Sequence, residues 1–151
     1  MTNRRHHASA PRAARLLHML AGTWRTEGRL IGIPGPNATR AAVDRYEWVP
    51  GVALLAHYVA GHLGRKSIAS FEIWAYDRRR RRYVSTSLDD NGVPTAFTSH
   101  LRGREWSIRG ETERFRGVFS RDGLTLSGTW DQQSTRGWKP WLAVVLRKAG
   151  T

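Results

Sequence analysis

The tripeptide Gly22-Thr23-Trp24 opens the first strand-like segment of this chain, and Arg147 ends the last one. In an all-β chain, a tryptophan at the start and an arginine at the end can meet only if the sheet closes on itself. The guanidinium can then stack on the indole face and seal one end of a barrel. The sequence therefore predicts a closed barrel, with Gly22, Trp24 and Arg147 at its seam.

Short strand-like segments follow one another along the rest of the chain. Gly, Pro, Asn and Asp separate them at short intervals, and Asn91-Gly92 and Asp122-Gly123 are strong hairpin signals. Short connections make consecutive strands antiparallel neighbours, and closure removes the exposed edges of such a long meander. The predicted strands are residues 22–31, 41–49, 52–63, 67–76, 82–89, 94–102, 104–110, 113–120, 124–131 and 138–148.

A short helix is expected before the first strand, because Leu16, Leu17 and Leu20 fall on one helical face. Residues 1–9 are polar and charged, which predicts a disordered tail. Residues 10–151 are long enough for one domain with a real core. The predicted fold class is all-β: a ten-stranded antiparallel up-and-down barrel with a short N-terminal helix.

Alternation along the strands assigns side chains to the two faces of the sheet. Trp24 and Thr26 alternate with charged residues and are expected to point inward. The same pattern places Asp44, Tyr46 and Trp48 inside in the second strand.

The last strand is apolar on both faces. Trp141, Ala143 and Arg147 share one face, opposite Leu142 and Leu146, which leaves one face for the N-terminal helix to cover. If the first of these faces is the inner one, Trp141 reaches the interior together with Trp24.

Composition excludes several classes of site. The chain has no cysteine, so it has no disulfide, no thiolate zinc site and no cysteine nucleophile. No apolar run approaches the roughly 20 residues of a membrane span, and the N-terminal segment makes a poor signal peptide. We therefore expect a cytoplasmic protein, either a monomer or a homodimer, with no membrane partner.

The formal net charge is +13, and 22 of the 25 basic residues are arginine. One interpretation is an anion-binding or nucleic-acid-binding surface. The other is an arginine-rich codon bias, which the scatter of arginines through most strands favours, because a nucleic-acid face clusters its charges. The run Arg78 to Arg82 is likewise read first as a solvated hairpin tip.

The segment from Leu20 to Gly28 resembles the opening of calycin-like barrels. It is most similar to a small bacterial domain-of-unknown-function family related to the lipocalin-like and nitrobindin-type barrels. Further matching features are the Tyr76-Asp77 hairpin, the Arg121-Asp122-Gly123 turn and the ending from Trp138 to Arg147. The resemblance implies a ten-stranded calycin-like barrel that holds a small apolar ligand.

One departure from that family concerns haem. Nitrobindin-like barrels hold haem through a histidine on the final strand, and Trp141 stands at the corresponding place here. Haem iron needs an axial His, Cys, Met or Tyr, and the last strand offers none. We therefore predict no haem, no other cofactor and no metal, since His57, His62 and His100 could ligate only in a different geometry.

Two groups of side chains are candidates for a functional site. An aromatic set either lines a ligand cavity or fills the barrel as core. A polar set of His57, Glu72, His100 and Asp44 could act as acid and base if all four share the lumen. The aromatic set is Trp24, Tyr46, Trp48, Tyr58, Trp74, Phe97, Trp106 and Trp141.

The sequence thus predicts a barrel that binds a small apolar or aromatic molecule. The main alternative is a barrel enzyme of the isomerase or cyclase type, and a third is anion or nucleic-acid binding through the arginine surface. An open lumen with Glu72 and His100 converging would favour the enzyme, because fold alone cannot choose among these functions.

Overall fold

The computed structural model describes residues 14–150. Residues 1–9, predicted as a tail, lie outside that range. The elements are α1 (Arg15–Leu20), β1 (Gly22–Leu30), β2 (Thr39–Trp48), β3 (Leu55–Leu63), β4 (Lys66–Asp77), β5 (Arg82–Asp89), β6 (Pro94–Arg102), β7 (Glu105–Arg109), β8 (Glu113–Phe119), β9 (Thr125–Ser134) and β10 (Gly137–Lys148). A single 3-10 turn, Pro36–Ala38, precedes β2.

The ten strands form one closed antiparallel barrel in which each strand pairs with its neighbours in sequence. The ring is completed where β1 pairs with β10, from Trp24 opposite Lys148 to Leu30 opposite Leu142. This confirms the predicted fold class. Closure leaves no free sheet edge, so every strand has a hydrogen-bonded neighbour on both sides.

The seam of the barrel uses Lys148, not Arg147. The Lys148 ammonium lies 5.3 Å from the centre of the Trp24 ring, whereas Arg147 is on the outer face, 3.6 Å from Glu27. The predicted stacking of Trp24 on Arg147 is therefore wrong. The reason is alternation: Arg147 lies opposite Arg25, whose side chain faces water, and the next residue points inside.

Gly22 does take part in this seam. Its φ of +127° lies in a region that side chains disfavour, and a Cβ there would lie 2.8 Å from Cε of Lys148. Glycine therefore leaves the space through which the lysine stem reaches Trp24.

The predicted faces hold for β1 and β2, where Trp24, Thr26, Asp44 and Tyr46 are buried inside. In β10 they do not hold. Leu142, Val144 and Leu146 are buried inside, and Ala143 and Arg147 are exposed.

A break in register explains the change. The β9–β10 pairing shifts between Pro140 and Leu142, next to a proline that has no N–H for the ladder. This bulge resets the alternation of the strand. As a result Trp141 lines the interior although Ala143 and Arg147, its predicted companions, face outward.

Helix α1 closes one end of the barrel. Leu16, Leu17 and Leu20 are fully buried, and the carbonyl of Leu20 accepts a 2.8 Å hydrogen bond from the Trp24 indole. The Leu16 amide donates to the Tyr83 hydroxyl at 3.1 Å. The helix thus covers the end of the barrel rather than a face of the last strand. In residues 14–150, no helix has the length and apolar character needed to cross a membrane.

Candidate functional site

A cavity of about 390 Å³ lies inside the barrel. Its volume falls in the range of roughly 300–1,000 Å³ that small-molecule sites occupy. The inner faces of β1 to β5 supply a polar wall, and the inner faces of β4 and β6 to β10 supply an aromatic wall. The aromatic wall consists of Trp74, Phe97, Trp106, Phe115, Trp130 and Trp141.

The rings of the aromatic wall form an almost continuous chain. Trp74 lies 5.6 Å from Trp106, which lies 5.6 Å from Phe115. Phe115 lies 5.1 Å from Trp130, which lies 6.3 Å from Phe97. These tilted and edge-on arrangements are the ones that aromatic pairs prefer, at about 0.5–1.5 kcal/mol each beyond burial. The wall is therefore a nearly continuous apolar surface.

Two glycines hold the Phe115 ring in this wall. A Cβ on Gly117 or Gly128 would lie 2.6 Å or 2.5 Å from the ring tip. Both residues flank Phe115 on the inner face of β8 and β9. The missing side chains let the ring lie flat over the sheet, which keeps the centre of the lumen open.

The polar wall is organised by a belt of hydrogen bonds that crosses five strands. We call Thr26, Asp44, His57, Glu72 and Ser85 the polar belt; one residue comes from each of β1 to β5. The Thr26 hydroxyl donates to Asp44, whose other oxygen lies 2.8 Å from Nε2 of His57. Nδ1 of His57 lies 3.0 Å from Glu72, and the Ser85 hydroxyl donates to Glu72 at 3.0 Å.

Strand register brings the belt together. His57 lies directly opposite Glu72 in the β3–β4 pair and opposite Tyr46 in the β2–β3 pair. The Tyr46 ring stacks on the imidazole with centres 3.9 Å apart and planes within 8°. The Trp74 indole donates to Glu72 at 2.7 Å, which joins the belt to the aromatic wall.

The belt favours the charged form of the His57 imidazole. Burial opposes that charge, but the hydrogen bonds to Asp44 and then Glu72 outweigh it, so the pKa of His57 is raised. Burial likewise opposes the Asp44 carboxylate, yet the hydrogen bond and charge of His57 leave the pKa of Asp44 lowered. Burial, with the nearby Asp44 and Glu72 charges, raises the pKa of Tyr46 well above 10.0. The tyrosine therefore stays neutral, and when His57 is protonated each ring nitrogen faces a carboxylate oxygen to which it can donate.

Five of the eight predicted aromatic residues line the cavity: Tyr46, Trp74, Phe97, Trp106 and Trp141. The other three do not. Trp24 packs at the closed end, 6.3 Å from Phe119, because the helix covers it.

Trp48 and Tyr58 lie outside the cavity for different reasons. Trp48 is at the end of β2, where its ring contacts His18 of the helix at 5.0 Å. Tyr58 is 40% exposed on the outer face, since its neighbour His57 takes the inner one, and it lies under Arg45 at 4.7 Å.

Three of the four predicted acid–base residues come together, namely Asp44, His57 and Glu72. His100 does not join them: it is exposed on the outer face of β6, opposite Ser107. The inner face there belongs to its neighbour Ser99, which is 1% exposed.

Sequence reasoning did not identify Phe115, Trp130 or Arg40, all of which line the cavity. A signal was present for Trp130, because Gly128-Thr129-Trp130 repeats the motif that places Trp24 inside. Alternation with Arg114 and Arg116 could have assigned Phe115 to the interior.

The lumen does not fit an axially ligated haem. Of the histidines in residues 14–150, the cavity is lined by His57, and both of its nitrogens bond carboxylates. Burial keeps Tyr46 protonated, which disfavours it as a phenolate ligand. Within the same range, no group of three or more His, Asp or Glu residues is arranged to hold a metal ion.

No family model matches this chain. No curated protein matches it either. Among solved structures, the barrel is similar to the crystal structure of Rv2717c from M. tuberculosis, with a TM-score of 0.61 and 16% sequence identity. The match covers 92% of this chain and 98% of that chain. At this identity the likeness is one of fold.

Proposed function

We propose that this protein is a calycin-like barrel that binds a small, largely apolar or aromatic molecule in its lumen, without haem. The observation that carries the proposal is the cavity of about 390 Å³ walled on one side by six aromatic side chains. A solid core would have filled that space, because protein interiors are close-packed. Enclosed apolar walls with a few polar groups are typical of ligand sites.

The polar belt supports binding more than catalysis. Both nitrogens of His57 are held by carboxylates, and each carboxylate accepts a further hydrogen bond from Thr26, Trp74 or Ser85. A general base needs a free acceptor within hydrogen-bond reach of the substrate proton. The belt instead gives the cavity one fixed polar wall.

Acid–base catalysis is the second candidate, favoured by the convergence of Asp44, His57 and Glu72 on the cavity. A turnover experiment separates the two functions. Binding alone predicts that a bound ligand is released unchanged, and an enzyme would convert it at a rate that His57→Gln abolishes.

The test of binding uses a variant that blocks the lumen. Ser70 lines the cavity on the inner face of β4, and Ser67 is exposed on the opposite face of the same strand. Ser70→Trp places an indole in the cavity, and Ser67→Trp is the matched control.

We expect 2-methylnaphthalene to quench tryptophan emission and raise the melting temperature of the wild type and Ser67→Trp, but not of Ser70→Trp. A ring system that buries roughly 200 Å² gains about 5 kcal/mol before association costs, at about 25 cal/mol per Å². Preferential binding to the folded state produces the thermal shift. Equal responses from all three proteins would place the probe outside the lumen and refute the proposal.

A further inference from the structure

The buried polar groups of the cavity that lack a hydrogen-bond partner are all donors. In the part of the chain that the structure describes, three buried side-chain atoms of cavity residues lack a partner: Nε of Arg40 and the indole nitrogens of Trp106 and Trp141. All three are N–H donors. Trp106 is 3% exposed, and a buried donor without an acceptor costs about 1–3 kcal/mol. The carboxylate oxygens of Asp44 and Glu72, by contrast, already accept hydrogen bonds.

Arg40 is the cation among these donors. It lies on the inner face of β2 with Ala42 and Asp44, and lines the cavity. Among residues 14–150, no carboxylate oxygen lies within 4.0 Å of its guanidinium, whereas His57 has two such partners. Arg40 precedes Asp44 by four residues in an extended strand, so its Cα lies about 13 Å from that of Asp44. The displacement is toward the end of the barrel that helix α1 does not cover.

Two glycines let the neighbouring strands pack closely around the base of Arg40. Its neighbour across β1 is Gly28, and Gly61 lies across β3 from the adjacent inner residue, Ala42. A Cβ on Gly28 would lie 3.3 Å from Cβ of Arg40 and 3.1 Å from a Val144 methyl group. A Cβ on Gly61 would lie 2.1 Å from the carbonyl oxygen of Ala41. Both glycines are thus closely packed, and the space open to a guest is the cavity that Arg40 itself lines.

Two other carboxyl groups line the cavity, and neither competes strongly for Arg40. Burial raises the pKa of Glu113, against a hydrogen bond from Gln132 and the charge of Arg40, and its carboxyl oxygens lie more than 4.0 Å from the Arg40 guanidinium. Asp89 is exposed, and its oxygens accept hydrogen bonds from the Asn91 amide at 2.9 Å and side chain at 3.4 Å. The guanidinium therefore keeps its charge available.

We propose that the natural ligand is an aromatic or apolar carboxylate, whose anionic group binds Arg40 near the mouth while its body lies against the aromatic wall. The inference rests on the proposed lumen binding and adds the chemical class of the ligand. Planar guanidinium matches a carboxylate with two parallel hydrogen bonds, and such charged bonds are the strong ones. The indole N–H of Trp141, which has no partner, is a second donor for the oxygen atoms of such a ligand.

The test compares three probes with one ring system: 2-naphthoate, 2-naphthylmethylammonium and 2-methylnaphthalene. Dissociation constants come from calorimetry with the wild type, Arg40→Met, Arg40→Lys and Arg45→Met. Arg45 is the matched control, because it sits on the same strand and is exposed on the outer face. Thermal melting checks whether Arg40→Met perturbs the fold. Arg40→Lys retains the positive charge and serves as the second variant if it does.

We expect 2-naphthoate to bind the wild type most tightly. Arg40→Met should weaken that binding by roughly tenfold to a hundredfold, the loss expected for a charge-assisted hydrogen bond. Arg40→Lys should fall in between, and Arg45→Met and the binding of 2-methylnaphthalene should not change.

The results would distinguish an error in the ligand class from an error in lumen binding. If 2-methylnaphthalene binds but the carboxylate has no advantage, or if Arg40→Met and Arg45→Met behave alike, the ligand class is wrong and lumen binding stands. If no probe binds the wild type, both proposals are wrong.

Discussion

Removing the imidazole of His57 should strongly destabilise the barrel. His57→Leu leaves the carboxylates of Asp44 and Glu72 buried without their shared cation, and it removes hydrogen bonds of 2.8 Å and 3.0 Å. Each bond to a charged group is worth about 1.5–3 kcal/mol, and breaking a buried ion pair by removing one partner costs about 3–5 kcal/mol. The stacked Tyr46 ring also loses its neighbour. We expect a loss of about 4 kcal/mol in the free energy of unfolding.

Urea and thermal unfolding measure this loss. For a chain of this size, about 4 kcal/mol corresponds to a fall in melting temperature of roughly 8–16 °C. His62→Leu is the matched control, since His62 is exposed on the same strand and its replacement should stay within about 0.5 kcal/mol. If both variants unfold like the wild type, the belt does not stabilise the fold and the reasoning about its charges is refuted.

Two further predictions follow from the belt and the seam. Because the pKa of His57 is raised in the fold, its stabilising charge is complete below the ordinary value of 6.5 and is lost as pH rises through the raised value. Unfolding at pH values from about 6 to 9 should therefore show falling stability, and His57→Gln should not. Lys148→Met should lower the free energy of unfolding by about 1 kcal/mol, because it removes the contact with Trp24, and Arg147→Met should leave it almost unchanged. A larger loss of melting temperature for Arg147→Met than for Lys148→Met would instead support a seam between Trp24 and Arg147.

Much of the fold was predictable because its signals are local. Turn residues and alternation placed each of the ten strands within three residues of its observed bounds. Hairpin connections then left one simple topology, the closed meander. The seam was mistaken because the register of β1 against β10 places Lys148 opposite Trp24 and Arg147 opposite Arg25, and register is not a local signal. The bulge beside Pro140 separately resets the alternation of β10.

The candidate site was only partly predictable because it depends on register between strands. Alternation placed Asp44 and Tyr46 inside, but it could not show that His57 lies opposite Glu72. One residue of slip would have turned His57 outward, the position that His100 occupies on β6. Trp48 shows a second limit: it follows the inward pattern, but its position at the end of β2 places it against the helix.

Native mass spectrometry would show whether the lumen holds a small molecule. The wild type and the lumen-blocking variant Ser70→Trp would be purified side by side from the protein's own host and sprayed under non-denaturing conditions. We expect an added small-molecule mass on the wild type that denaturation releases, 2-naphthoate displaces and the variant lacks. A bare chain mass for the wild type, with no adduct after incubation with 2-naphthoate or 2-methylnaphthalene, would contradict it.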